Sequence, residues 1–128
     1  MRKQASVRQA ETLRVLRASD RPMTAYQVIE GLQAREPDIA PPTVYRTLAA
    51  LMDQGRAHRL ESLKAFVPCR CEHAGGVPVL AICGGCGSVE EHDGDALAPV
   101  LSALVSETGF AAERHVVEIH GRCTSCIA

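Results

Sequence analysis

The sequence predicts a two-lobed α+β protein: a winged helix-turn-helix over residues 1–67, a link over 68–76, and a small α/β lobe over 77–128 closed by a structural four-cysteine zinc site. Three observations predict it. Three helical periodicities and a pair of short alternating runs fill the first half. Two Cys-x-x-Cys pairs, Cys83/Cys86 and Cys123/Cys126, stand in the second half with 36 residues between them. The charge divides between the halves, with 11 Lys/Arg against 7 Asp/Glu in residues 1–64 and 3 against 8 in residues 65–128. A chain of 128 residues with 3% aromatics and no Trp has little large apolar surface to bury. A lobe of about 60 residues is marginal by burial alone, and a metal or a partner chain is the usual remedy.

Taken in order, Val7, Ala10, Leu13 and Leu16 recur at helical spacing and predict a helix over about residues 4–18. Arg21-Pro22 breaks it. Thr24 then caps a second helix, with Gln27 as its capping-box partner and Ala25, Val28, Ile29 and Leu32 facing inward. Pro37 marks its end. Pro42 fits the first turn of a third helix, with Val44, Leu48, Leu51 and Met52 inside and Gly55 as its stop. Runs 57–61 and 65–68, joined through Ser62-Leu63-Lys64, read as a hairpin. Three helices and a hairpin predict a winged helix; the pattern alone also allows a plain helical lobe.

The link, Arg70 to Gly76, is polar and Gly-rich. Val77–Ile82 is an apolar strand entering the first cysteine turn, and Ser88–Glu91 leaves it. Residues 95–108 predict a helix with Leu97, Leu101, Leu104 and Val105 inward and Gly109 as its end. Glu113–His120 alternates as a strand and runs into the second cysteine turn.

Each Cys-x-x-Cys turn presents two thiolates, and two such turns make a closed tetrahedral shell for Zn2+ with no open position. Gly84, Gly85, Gly87 and Gly121 supply backbone freedom around them. A redox dithiol is the rival reading, but it goes with a thioredoxin-like βαβ pattern that is absent here. Two disulfides are the other rival, which a reducing cytosol disfavours. The first 20 residues carry no signal-peptide pattern, and no stretch approaches a membrane span, so a cytoplasmic protein is expected.

The basic first half suits an anionic partner and the acidic second half a cation. In a helix-turn-helix the second helix of the motif enters the major groove of duplex DNA with its N-terminal residues toward the bases. Here that helix begins Pro42-Thr43-Val44-Tyr45-Arg46-Thr47. Thr43, Tyr45, Arg46 and Thr47 are expected on its outward early turns. Arg46 can fork onto guanine O6/N7, and Tyr45 offers a ring to a thymine methyl and a hydroxyl to phosphate. Arg14, Arg17, Arg21, Arg56, Arg59 and Lys64 are candidate phosphate contacts. No His-Glu-x-x-His stretch or comparable catalytic motif is present, and a closed cysteine shell leaves no place for a reacting water, so no enzyme activity is expected.

Three segments carry a family resemblance: Pro-Pro-Thr-Val-Tyr-Arg-Thr-Leu (41–48), Cys-Gly-Gly-Cys-Gly-Ser-Val-Glu-Glu (83–91), and Gly-Phe followed by His-Val-Val-Glu-Ile-His-Gly-Arg-Cys-Thr-Ser-Cys (109–126). With these the chain resembles the ferric uptake regulator family over nearly its whole length, and within it the zinc uptake regulator branch. The resemblance implies a homodimer, a C-terminal dimerisation domain, a structural zinc and a second, regulatory metal site at the hinge, about two zinc ions per chain. It implies that filling the regulatory site lets the dimer bind pseudo-palindromic, AT-rich operator DNA and repress zinc uptake genes. A sibling metalloregulator responding to iron, manganese or peroxide is the alternative.

The branch pattern implies ligands at His58, Cys69 and Glu91. His73 is the remaining candidate, because the His that the family carries near the position of Gly76 is absent. Together these residues offer N, S, N and O donors, a set suited to tetrahedral zinc, and one soft thiolate favours zinc over ferrous iron or manganese. Cys71 is an alternative for Cys69 or His73. His115 matches a His that serves a further metal site in relatives. Its usual acidic partner on the helix is replaced by Ala98, and Glu90, His92 and His120 are the possible substitutes.

Overall fold

The computed structural model describes residues 4–69 and 77–127. The chain divides into two compact units, Met1–Arg70 and Cys71–Ala128, each with its own three-stranded sheet among the described residues.

The first unit runs α1 (Ala5–Ala18), β1 (Met23–Thr24), α2 (Ala25–Gln33), α3 (Pro41–Asp53), β2 (Ala57–Leu60) and β3 (Ala65–Pro68). The inward face of α1 begins later than its periodicity suggests. Val7 and Ala10 are exposed, and burial starts at Thr12, Leu13 and Leu16. Thr12 tolerates burial because its hydroxyl donates to the Arg8 carbonyl at 2.8 Å. Helix α2 opens on the expected capping box: the Gln27 N–H donates to Thr24 Oγ1 at 3.2 Å, and the Thr24 N–H to Gln27 Oε1 at 2.9 Å. It ends at Gln33 rather than near Pro37, because the Arg35 and Glu36 N–H groups both turn back onto the Leu32 carbonyl, at 3.1 and 3.0 Å.

Pro41 and Pro42 occupy the first turn of α3, where a missing N–H costs nothing. Val44, Leu48 and Leu51 are buried along one stripe. Gly55, at φ 71°, takes the left-handed turn that ends the helix. There its N–H reaches the Met52 carbonyl and the Arg56 N–H reaches that of Leu51, at 3.0 and 2.9 Å. The hairpin β2–β3 pairs Ala57 with Pro68 through Leu60 with Ala65. Its connection closes on Lys64, which holds φ 50°, an uncommon conformation for a residue with a Cβ. Strand β1, unforeseen because two residues carry no alternation, pairs Met23 with Phe66 and completes the order β1-β3-β2. The core lies between the three helices and this sheet, centred on Leu13, Val28, Val44, Leu48 and Leu51. This is a winged helix.

The second unit runs β4 (Pro78–Cys83), β5 (Val89–Asp93), a 3-10 turn (Asp95–Leu97), α4 (Ala98–Ser106), β6 (Val117–Gly121) and α5 (Thr124–Ile127). Central β4 pairs antiparallel with β5 and parallel with β6. Strand β6 is shorter than the alternation over Glu113–His120. Its register begins at Val117 opposite Val79, and β4 reaches back only one residue further, to Pro78, so residues 113–115 have no strand to pair with and Val116 would face only a proline, which has no N–H to donate. The helix is also shorter than expected. Its expected inward face is corrected: Leu97, Leu104 and Val105 are 40%, 66% and 36% exposed in the single chain. The small sheet buries only its central strand, with Val79, Leu80 and Ile82 of β4 inside, and does not cover this helix face.

Candidate metal centre and nucleic-acid interface

The register of β4 against β6 assembles the cysteine shell. Cys83 ends β4 opposite Gly121, so the turn after β4 and the turn after β6 leave the sheet side by side. The first turn closes on itself: Gly87 N–H donates to the Cys83 carbonyl, and Cys83 N–H to the Ser88 carbonyl, both at 2.9 Å. Gly87, at φ 77°, permits that reversal. The Gly84 N–H reaches the Gly121 carbonyl at 2.8 Å and ties the two turns together. A Cβ on Gly85 would stand 2.9 Å from the Cys126 sulfur, so only glycine lets the turns approach this closely.

All four sulfurs lie within 4.8 Å of one another, with Cys86 and Cys123 at 3.8 Å. A zinc ion with Zn–S bonds of about 2.3 Å sets tetrahedral sulfurs about 3.8 Å apart, so the donors fit the ion in number, type and spacing. No disulfide joins the described cysteines, which removes the paired-disulfide reading. The electrostatics point the same way. Backbone N–H groups of Cys123 and then Cys86 hold the Cys83 thiol down to about 6, while the sulfurs of Cys83 and then Cys123 push that of Cys126 up to about 12. Ser88 lowers Cys86. Four thiols this close do not all ionise unless a cation stands among them.

In the first unit, His58 and Cys69 come together through the hairpin. His58 lies opposite Val67, and directly opposed residues share a sheet face. Cys69, two residues beyond Val67, projects to the same side, and its N–H is held on the Arg56 carbonyl at 2.9 Å. The His58 and Cys69 donor atoms lie within 4.8 Å of each other, both half-buried. Glu91 is a half-buried residue of β5 in the second unit, opposite Leu80. His73 and Cys71 lie outside the described residues. His92 is exposed and meets Glu90 at 3.1 Å; His115 meets the Ser102 hydroxyl at 3.3 Å; His120 stands 3.9 Å from Glu118. Among the described residues, no group of three metal donors forms around any of these histidines.

On α3, Tyr45 and Arg46 are exposed as expected, and Thr43 is half-buried beside them. Arg46 Nη2 donates to Thr43 Oγ1 at 3.3 Å, which orients the guanidinium without burying it. Thr47 is corrected. It is buried among the inward residues, and its hydroxyl returns to the Thr43 carbonyl at 2.9 Å. It falls one helical turn on from Thr43 and three residues after Val44, hence on the inner stripe. Sequence reasoning missed Ser88, whose hydroxyl lies 3.2 Å from the Cys86 sulfur; a hydroxyl two residues past a metal-binding cysteine was the available signal.

The model of the ferric uptake regulator family matches residues 3–120. The zinc uptake regulation protein of Escherichia coli (strain K12) is 34% identical over 118 residues, 91% of this chain and 69% of that protein. That of Mycobacterium tuberculosis (strain ATCC 25618 / H37Rv) is 30% identical over 105 residues, covering 80% of this chain and 78% of its own length. A solved zinc uptake regulator complexed with zinc and DNA aligns at TM-score 0.89 and 32% identity, over 97% of this chain and 83% of that one. The holo form of XcZur aligns at TM-score 0.84 and 33% identity, over 93% and 83%. No described helix is long and apolar enough to cross a membrane. With a winged helix, a four-cysteine shell and a family match spanning nearly all of its length, this chain belongs to the ferric uptake regulator family.

Proposed function

We propose that this chain is a zinc-responsive transcriptional repressor, cytoplasmic and without enzymatic activity, that binds operator DNA as a homodimer and controls zinc uptake genes. Residues 1–67 read DNA, 77–128 dimerise, and 68–76 carry hinge ligands. The four cysteines hold a structural zinc; His58, Cys69 and Glu91, with His73 of the link, hold a regulatory one. The observation that carries this reading is the His58–Cys69 pair, two metal donors within 4.8 Å of each other on the wing of a DNA-reading head.

Bound there, zinc would supply a divalent charge to these donors, and a chain with the site filled would favour the DNA-competent state. The residues of the chain do the rest. His58 and Cys69 fix the wing end, and Glu91 supplies an oxygen from the second unit. Arg46 and Tyr45 present base-reading groups, and the basic surface of the first unit supplies the salt-dependent part of the affinity. The ligand shifts the population only by its difference in affinity for the two arrangements; a coupling of about 3 kcal/mol corresponds to on the order of 100-fold in operator affinity. The thiolate of Cys69 selects zinc over ferrous iron or manganese.

The test is operator binding by fluorescence anisotropy at fixed protein, titrated with zinc, ferrous iron and manganese in turn. Zinc should drive binding at the lowest free concentration. Equal or better activation by iron or manganese would assign the chain to a sibling sensor instead.

A further inference from the structure

The two turns of the cysteine shell are not equivalent. On the first, two backbone N–H groups point at the Cys83 sulfur, those of Gly85 and Cys123, each at 3.3 Å, and the Ser88 hydroxyl lies 3.2 Å from the Cys86 sulfur. On the second, no side-chain hydroxyl reaches Cys123 or Cys126 among the described residues, although Thr124 and Ser125 lie between them. Ser88 is well placed for such a role. Its carbonyl already accepts the Cys83 N–H at 2.9 Å, which fixes its backbone beside the cysteine turn.

We propose that Ser88 is a positioning residue of the structural metal site, whose hydroxyl donates to the Cys86 thiolate and makes the Cys123/Cys126 turn the side from which the shell opens. As a free thiol Cys86 donates to Ser88 Oγ. Once it is a metal-bound thiolate it has no proton to give, and the hydroxyl rotates to donate in return. Hydrogen bonds to ionised acceptors are about twice as strong as neutral ones, and a donor of this kind both orients the ligand and disperses its charge. Among the described residues, Cys83 and Cys86 are then held by outer donors, while no such hydroxyl or amide reaches the sulfur of Cys123 or Cys126. Ligand exchange, and attack by an electrophile on a released sulfur, begins with the second pair. This inference rests on the four-cysteine zinc reading.

The test uses the zinc-loaded full chain under limiting chelator and N-ethylmaleimide, with the labelled cysteines identified by mass spectrometry as the reaction proceeds. In the wild type, Cys123 and Cys126 should label before Cys86. Ser88→Ala should lower zinc affinity by about tenfold and bring Cys86 labelling level with that of Cys123. Ser88→Thr, which keeps the hydroxyl, should restore both the affinity and the order; a purely structural role for the position predicts no such rescue. Wild-type Cys86 labelling first or together with Cys123 would overturn the proposal. So would Ser88→Ala with unchanged order and affinity. Should Ser88→Ala fail to fold, the wild-type order and the Thr variant still decide. A wild-type chain that retains no zinc after mild chelation would instead overturn the four-cysteine reading beneath it.

Discussion

His58 and Cys69 share a face of the wing because the hairpin register sets His58 opposite Val67, two residues before Cys69. Replacing Cys69 with Ser should therefore remove the metal response, lowering operator affinity in zinc on the order of 100-fold while leaving circular dichroism intact. A Cys69→Ser chain that unfolds would show the residue to be structural. Arg46 is exposed and oriented by Thr43, so Arg46→Ala should cost about 1–3 kcal/mol of operator binding and relax preference at one base, with zinc content unchanged; competition binding against single-base operator variants checks this. At this scale the sequence was most legible where chemistry is carried by rare residue types at fixed spacing, as in the four cysteines. It was least legible where a common residue acts through its direction. Thr47 and Ser88 illustrate this: one hydroxyl turns back onto its own helix and the other lies against a sulfur, and neither orientation is written in composition or periodicity.

The elements of the first unit follow from local signals. Thr24 and Gln27 set the start of α2, the Pro41-Pro42 pair that of α3, and Gly55 its stop. The capping box satisfies two backbone donors that otherwise lack partners. Thr24→Ala should thus cost about 1 kcal/mol, read as a lower urea midpoint with unchanged slope. Elements defined by partners rather than by their own pattern were harder to see. Strand β1 exists because β3 offers an open edge to Met23 and Thr24, and β6 begins where β4 provides its first partner. The apolar stripe of α4 was legible as a stripe, but its destination was not. Leu104 and Val105 are exposed in a single chain, and periodicity reports that a face seeks burial without saying whether its own chain supplies the cover. An exposed patch of this kind marks an association surface, consistent with the homodimer proposed above.

For the molecule as a whole, the division into a basic and an acidic half matches the division into two units closely. Metal binding contributes directly to folding in a small domain with little core. Cys86→Ser should accordingly destabilise the second unit and its dimer, seen as lost circular dichroism and a shift to monomer in sedimentation; a Cys86→Ser chain that stays a folded dimer would contradict a structural role for the shell. The proposed function requires two metal sites with different work, one holding the fold and one setting the affinity for DNA. The most direct test measures zinc per chain and operator binding on the same sample before and after mild chelation. About two zinc ions per chain should fall to about one, with operator binding lost and secondary structure kept. Operator binding that survives removal of the labile ion, or a fold that collapses with it, would rule out this division of roles.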